Sequence, residues 1–305
     1  MKSLGPAVFG GLCNLLLALA VAPLFEGVMR KITAIVQSRK GPPLLQPYMD
    51  LAKLLIKEDI EVGHVPLLQR LSALLSPAAI LAVALCLPIF GSAPLTAGAD
   101  GIVMIYLLSL AGVAVLVAAL AAGSPYSLVG MSREMMSMMT LEPLFAVVVV
   151  AASFKAKSLR FDDIFDGAIW SGGVCSACML FVVMMAAFQA FIGRAPFDTT
   201  EAETEIMEGP LVEYSGPKLA LFKYAHMLKM FVYAGLFTAL FVPGLTSLRP
   251  LAAAGIFVLC QFALVLLATL FAATHARYRI DQAVRYYAGL FALSLVALVF
   301  AVKGF

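Results

Sequence analysis

RAPFDTTEAETEIMEGPLVEYSG, residues 194–216, is an acid-rich stretch set between two long apolar runs, about 172–192 and about 219–242. It holds Asp198, Glu201, Glu203, Glu205, Glu208 and Glu213, with no Lys or Arg between Ala195 and Pro217. Asp198, Glu201, Glu205 and Glu208 fall at helical spacing, so on a helix they form one acidic stripe, with Glu203 facing elsewhere. Carboxylates that close repel one another, and where they are partly desolvated one of a pair retains a proton more readily. Such a cluster can pass protons or bind cations. A plainer role also fits: Asp198 and Glu201 have the spacing of a capping box, and Gly209-Pro210 would stop the helix they begin. Capping, however, needs far fewer acids than this segment carries.

The flanking runs decide the fold class. Hydrophobic residues make up 62% of the chain and charged residues 13%, with a mean hydropathy of +0.98. Soluble domains of this length do not have that composition. Runs of about 20 apolar residues, long enough to cross a bilayer as helix, recur along the sequence. The chain is expected to be an all-α polytopic membrane protein forming a single membrane domain. Its net charge of +3 gives no argument for nucleic-acid binding. The first apolar run has no small-residue cleavage site followed by polar sequence and is expected to be an uncleaved span.

Eight spans are expected at about 5–29, 71–90, 102–122, 144–154, 172–192, 219–242, 252–273 and 286–302. The first is followed by Arg30, Lys31, Arg39 and Lys40, then by the Gly41-Pro42-Pro43 turn. Residues 44–58 follow, with Leu44, Leu45, Tyr48, Leu51, Leu54 and Leu55 opposed to Asp50, Lys53 and Lys57. That segment is too short to span and predicts an amphipathic helix in the membrane interface. A polar insert with Arg133 and Glu134 precedes Glu142-Pro143 at the mouth of the fourth span. An acid there is costly unless it faces the bundle interior or a wet cavity, which makes Glu142 a functional candidate. Lys223, His226 and Lys229 form a basic stripe entering the sixth span, and Lys229 lies deep enough either to snorkel or to pair with the upstream acids.

Basic residues orient the spans. With the N-terminus outside, 14 of the 21 Lys and Arg fall in cytoplasmic connections, six on the other side, and Lys229 within a span. The positive-inside rule then puts residues 194–216 on the cytoplasmic face. Every connection is too short to fold as a domain. The five cysteines are scattered, Cys175 and Cys178 being the one close pair, and no P-loop, GxGxxG, HExxH or paired CxxC occurs, so no cofactor is expected in this chain. A stand-alone transporter would show paired broken helices in two repeated halves, and the acidic segment is not repeated.

Three segments, RKGPPLLQPYMDLAKLLIKED (39–59), RAPFDTTEAETEIMEGPLVEYSG (194–216) and ARYRIDQAVR (276–285), together resemble one family. It comprises the quinone-cavity (H-type) membrane component of respiratory complex I and its relatives in energy-converting nickel–iron (group 4) hydrogenases, including formate hydrogenlyase. The resemblance covers nearly the full length. Arg39-Lys40-Gly41-Pro42-Pro43 runs straight into Leu44, without the longer insert of the complex I pattern. Glu208-Gly209-Pro210-Leu211 resembles the formate hydrogenlyase and Ech-type form. His226 stands where complex I tends to carry an acid, and Lys223 and Lys229 are closer to the hydrogenase pattern. The resemblance therefore implies a docking and coupling subunit of a membrane-bound hydrogenase, with quinone binding in a complex I as the alternative. It implies hydrogenase large and small subunits, bearing the NiFe centre and iron–sulfur clusters, on the cytoplasmic face, and antiporter-like membrane subunits alongside. Asp198, Glu201, Glu203, Glu205, Glu208 and Glu213 would form an acidic funnel continued inward by Glu142 and Lys229. Arg39, Asp50, Arg133, Arg194, Arg277 and Arg279 would hold the soluble arm or balance the funnel. The expected setting is a prokaryotic cytoplasmic (inner) membrane.

Overall fold

Lipid offers no hydrogen-bond partner to a peptide group, so apolar runs of spanning length fold as helices that satisfy their own backbone. In the computed structural model, which describes residues 4–61, 65–91, 94, 100–165, 167–200 and 202–304, eight helices are long and apolar enough to cross a membrane. These are α1 (Leu4–Val36), α3 (Pro66–Cys86), α4 (Gly101–Ala122), α5 (Pro125–Ala156), α7 (Val174–Phe191), α9 (Gly216–Phe241), α10 (Pro250–Thr274) and α11 (Ile280–Lys303). Among the described residues three shorter α-helices connect them, α2 (Gln46–Ile56), α6 (Phe161–Phe165) and α8 (Glu203–Ile206), with 3-10 turns at Ala168–Trp170, Gly209–Leu211 and Leu245–Ser247. The protein is thus an all-α polytopic membrane fold. Among the described residues the only strand-like pairing is an isolated bridge between Asp100 and Arg160.

The fourth spanning helix differs from its expected extent. Ser124 caps α5, its hydroxyl accepting from the Ser127 amide at 3.2 Å, with Pro125 in the first turn. Arg133 and Glu134 therefore stand on the membrane helix itself rather than in a polar insert before it. Polar side chains do not end a helix when they face protein rather than lipid.

Helix α9 is the axis of the bundle. Nearly every residue from Met227 to Phe241 is buried, and it packs against α1, α2, α3, α7 and α10. Helix α5 packs against α4, α7 and α11 on the other side. Because lipid tails are as apolar as leucine, helix association relies on close packing and on polar side chains that reach a neighbour's backbone. Asn14 Nδ2 donates to the Leu87 carbonyl at 2.7 Å, Gln261 Nε2 to Phe231 at 3.2 Å and Tyr286 Oη to Ala186 at 3.1 Å. Each contributes about 0.6 kcal/mol in a bilayer.

Pro23 inside α1 shows the same logic. Proline has no N–H, so the carbonyl four residues earlier loses its helical donor. That carbonyl, Leu19, accepts instead from Tyr224 Oη of α9 at 2.9 Å, and the next, Ala20, accepts from Tyr48 Oη of α2. The turn before Pro23 thereby becomes the joint at which α1, α2 and α9 meet. A Cβ on Gly27, one turn further along α1, would overlap the Leu44 carbonyl, so α1 and the start of α2 are in backbone contact there. Helix α2 leaves Leu45, Met49, Leu55 and Ile56 exposed, an unburied apolar row that suits a helix lying on lipid.

Candidate functional site

The acidic segment is not one helix. Among its described residues only Glu203–Ile206 is α-helical; Met207 and Glu208 then take left-handed φ of 52° and 69°, and a separate 3-10 turn follows at Gly209–Leu211. A right-handed helix cannot pass through such residues, so the single acidic stripe expected over Asp198, Glu201, Glu205 and Glu208 does not form. The segment instead threads through its neighbours, pinned along its length. The Ala195 carbonyl accepts from Gln189 Nε2 at 2.5 Å, and the Tyr278 amide donates to the Pro196 carbonyl at 2.9 Å. Phe197 enters a box of Tyr278, Tyr286 and Tyr287, with ring centroids 5.2, 4.9 and 5.4 Å away. Ser127 Oγ donates to Pro210 at 3.2 Å and Tyr214 Oη to Ala118 at 2.8 Å. Burial pushes the Tyr214 phenol up to about 12, so it stays a donor over the working range.

Glycine makes the closest of these contacts possible. A Cβ on Gly130 of α5 would stand 2.6 Å from Pro210 Cδ and 2.7 Å from Gly209 Cα. Gly130→Ala should therefore wedge the segment off α5 and cost about 1–3 kcal/mol, read as a lower thermal midpoint of the detergent-solubilised protein. An unchanged midpoint would mean the segment yields freely there.

The expected acids separate into different settings. Asp198 pairs with Arg277 at 2.8 Å, rather than capping a helix with Glu201. Glu205 pairs with Arg133 at 2.5 Å, and Arg133 also donates to the Thr199 carbonyl at 3.2 Å. Glu208 lies 3.7 Å from Lys223. Glu213 is half-buried beside Tyr214. Glu201 and the side chain of Glu203 lie outside the described residues. Arg39 and Arg279 are exposed, the latter at the start of α11, where its amide donates to Gln282 Oε1 at 3.3 Å.

Beneath the segment lies a charge cluster whose centre the sequence did not single out. Glu26 of α1, 3% exposed, accepts from Arg30 Nε at 3.0 Å and from Arg194 Nη2. Arg30 Nη1 reaches Asp50 Oδ2 at 2.9 Å, and Gln46 Nε2 donates to Asp50 Oδ1 at 3.0 Å. The available signal was an acid four residues before an arginine inside an apolar run; its other partner, Arg194, is distant in sequence. A second latch was also missed: Lys218, 5% exposed, faces Asp59 at 3.2 Å and Glu61 at 3.8 Å.

Asp50 sits outside the spans, on α2. Burial works to raise its pKa, but hydrogen bonds from Gln46 and Arg30 and the arginine's charge hold it below the usual carboxylate range. A carboxyl depressed by folding contributes stability that is present above its unfolded value, about 3.9, and is lost as pH falls through the lower folded value. Asp50→Asn should therefore speed hydrogen exchange of α2 at neutral pH. The difference from the parent should shrink as acid protonates Asp50, and equal exchange at neutral pH would show that the contact holds nothing.

Two adjoining cavities, whose walls share Leu211, Phe222 and His226, lie among these charges. The outer one, about 150 Å³, is lined by Glu26, Arg30, Arg194, Glu208, Lys223 and His226. The inner one, about 100 Å³, is lined among others by Glu134, Ser137, Glu142, His226, Lys229 and Tyr233. Glu142 Oε2 accepts from Ser109 Oγ at 2.7 Å. Among the described residues no three His, Cys, Asp or Glu side chains are grouped to hold a metal, and the cysteines are unpaired thiols. Chemically, the arrangement can hold and exchange protons or small cations.

The sequence profile of the NADH dehydrogenase family matches residues 11–302. The chain belongs to that family. Among family relatives, hydrogenase-4 component C of Escherichia coli K12 is 35% identical over 242 residues, covering 78% of this chain and 76% of that protein. Formate hydrogenlyase subunit 4 of the same organism is 32% identical over 280 residues, covering 88% and 91%. The H-type chain of the NADH-quinone oxidoreductase of Brevibacillus brevis is 35% identical over 236 residues, covering 72% and 68%. A chain of the membrane-bound sulfane sulfur reductase, an archaeal respiratory membrane complex, shares the fold at a TM-score of 0.86 and 24% identity, covering 97% of this chain and 99% of that one. The NADH dehydrogenase family fold is thus present nearly end to end.

Proposed function

We propose that this chain is the membrane docking and coupling subunit of a hydrogenase-type complex. In this proposal, electron transfer in partner subunits that carry the NiFe centre and iron–sulfur clusters drives proton or sodium movement. The observation that carries it is the run of ionisable side chains, from Glu208 and Lys223 through Glu26, Arg194 and His226 to Lys229 and Glu142, lining two cavities that share a wall. A change of charge at the face above residues 194–216 alters the field on these groups, and a proton shift along them transmits it inward. One unit of pKa is about 1.4 kcal/mol, so a few coupled groups suffice for a few kcal/mol without large backbone motion.

The similarity to hydrogenase-4 component C and formate hydrogenlyase subunit 4 over most of both chains supports the hydrogenase branch. In this reading the large and small hydrogenase subunits dock on the cytoplasmic face of a prokaryotic inner membrane, antiporter-like subunits pack laterally, and the N-terminus lies outside. Affinity purification of the tagged chain followed by mass spectrometry tests it. Nickel and iron–sulfur subunits should be recovered together with antiporter-like chains. Recovery with NADH-oxidising subunits instead would favour the second reading, a quinone-binding subunit of an NADH:quinone oxidoreductase. That reading draws on the similarity to the Brevibacillus brevis chain and on the inner cavity, where the buried Ser137 hydroxyl has no hydrogen-bond partner among the described residues. Quinone-site inhibitors of NADH oxidation would then act on the purified complex.

A further inference from the structure

Two thiols lie on one exposed face at the end of the bundle opposite residues 194–216. Cys175 and Cys178 belong to the first turns of α7, and the acidic segment follows the other end of that helix. A cysteine used for packing is buried, as Cys86 is, whereas both of these are exposed and free. We propose that Cys175 and Cys178 are a reversible redox pair, oxidised to an intramolecular disulfide by thiol–disulfide exchange. This inference does not rest on the coupling function proposed above.

Helical register carries the argument. Residues three apart share a helix face, and their Cα atoms are about 5 Å apart, inside the range of about 4.4–6.8 Å that a disulfide spans. Their Cβ atoms stand about 5–6 Å apart and must approach by about 1–2 Å to close the bond. The start of a helix can give that movement. The Cys175 amide is among the four that have no acceptor within their helix, so shifting Cys175 breaks no helical bond made by its own N–H. The other cysteines lack such a neighbour: Cys13 and Cys260 are half-buried on α1 and α10, and Cys86 is buried at the end of α3.

The surroundings suit the exchange. Lys155, in the last turn of α5, donates from Nζ to the Ile169 carbonyl at 2.8 Å and to the carbonyl of Gly173, the N-cap of α7, at 2.9 Å. Its ammonium is thereby held at the start of α7, where it interacts electrostatically with Cys178. The attacking species in the exchange is a thiolate, and the ammonium carries the charge that attracts it. Trp170, in the turn between α5 and α7, donates from its indole to the Phe241 carbonyl at 2.9 Å. Lysine and tryptophan at helix ends mark the boundary between lipid and water, so the pair stands within reach of a water-soluble disulfide. In the orientation proposed above this end faces away from the reducing cytosol. The co-reactant is a small disulfide, RSSR. The Cys178 thiolate attacks one of its sulfurs, forming a mixed disulfide and releasing one thiolate RS⁻. The Cys175 thiolate then attacks the Cys178 sulfur, the mixed S–S bond breaks, and the second RS⁻ leaves. The two cysteines lose two electrons and two protons, and RSSR gains them as two RSH.

The test treats the full-length chain, purified in detergent with whatever subunits accompany it, with oxidised glutathione as RSSR. Remaining thiols are then blocked with N-ethylmaleimide in denaturant, and the peptide holding both cysteines is read by mass spectrometry. The form lacking two hydrogens should outnumber the singly glutathionylated form by at least about tenfold, because the second attack is intramolecular. A thiol reductant should return it to the dithiol, and Cys13, Cys86 and Cys260 should stay alkylatable throughout. Cys175→Ser should arrest at the mixed disulfide on Cys178; if that variant is not recovered, Cys178→Ser should arrest likewise on Cys175. Persistence of both thiols in the parent overturns the pair. So does a mixed disulfide that accumulates without closing, and so does a disulfide joining two copies of the chain. None of these outcomes bears on the coupling function, which stands or falls by the partner subunits recovered.

Discussion

Glu26→Ala is expected to destabilise the solubilised protein by up to about 3 kcal/mol, the low end of the cost of breaking a buried ion pair, because the arginines left behind are only part-buried. Among the described residues Glu26 is the only carboxylate paired with both Arg30 and Arg194, and it is 3% exposed. Without it, Arg30 keeps Asp50, but Arg194 faces a cavity wall already carrying Arg30 and Lys223, with Glu208 as the remaining acid. The loss should appear as a lower thermal midpoint and poorer recovery of partner subunits. The double variant Glu26→Gln with Arg194→Gln should recover much of it, since the penalty comes from the unpaired charge rather than from the missing pair. An unchanged midpoint in Glu26→Ala, or a double variant no better than the single one, would mean that solvent reaches the cluster.

The contrast between Glu26 and the acids of residues 194–216 marks what was legible in the sequence. The eight long apolar helices and the short amphipathic helix α2 could be read because lipid imposes a length and a composition on such segments. Glu142 stood out because an acid beside proline in an apolar run has few inexpensive locations, and the structure places it on the wall of the inner cavity, accepting from Ser109. The shape of the acidic segment could not be read. Helical spacing of Asp198, Glu201, Glu205 and Glu208 is compatible with a helix, but the left-handed residues at Met207 and Glu208 and the packing of Gly209 against Gly130 decide otherwise. Those are tertiary contacts that override local pattern. Glu26 was passed over because its role depends on Arg194 and Asp50, and pattern within one helix reports only Arg30. His226 was visible as a member of a basic stripe, but its position between two cavities exists only once α9 is packed.

The same geometry predicts that the acids will not behave alike on neutralisation. Glu142→Gln should lower ion translocation by about 10²–10⁴-fold while the complex still assembles, because the substitution keeps volume and the acceptor for Ser109 but removes the exchangeable proton. Glu142 and Lys229 line the same inner cavity, and an acid in an apolar helix has few other groups to exchange a proton with. Glu205→Gln should be far milder. That side chain is 50% exposed and its pair with Arg133 lies at the surface, where such pairs contribute about 0.2–1 kcal/mol. Arg133 also keeps its bond to the Thr199 carbonyl in the variant, so the segment stays anchored. Both variants should be compared in liposomes by dye-monitored translocation, normalised to the amount of assembled complex. If Glu205→Gln lost as much as Glu142→Gln, the exchange path would run through the exposed rim. If Glu142→Gln translocated at the parental rate, the inner cavity would be a packing defect, and the charge cluster at Glu26 would have to couple by another route.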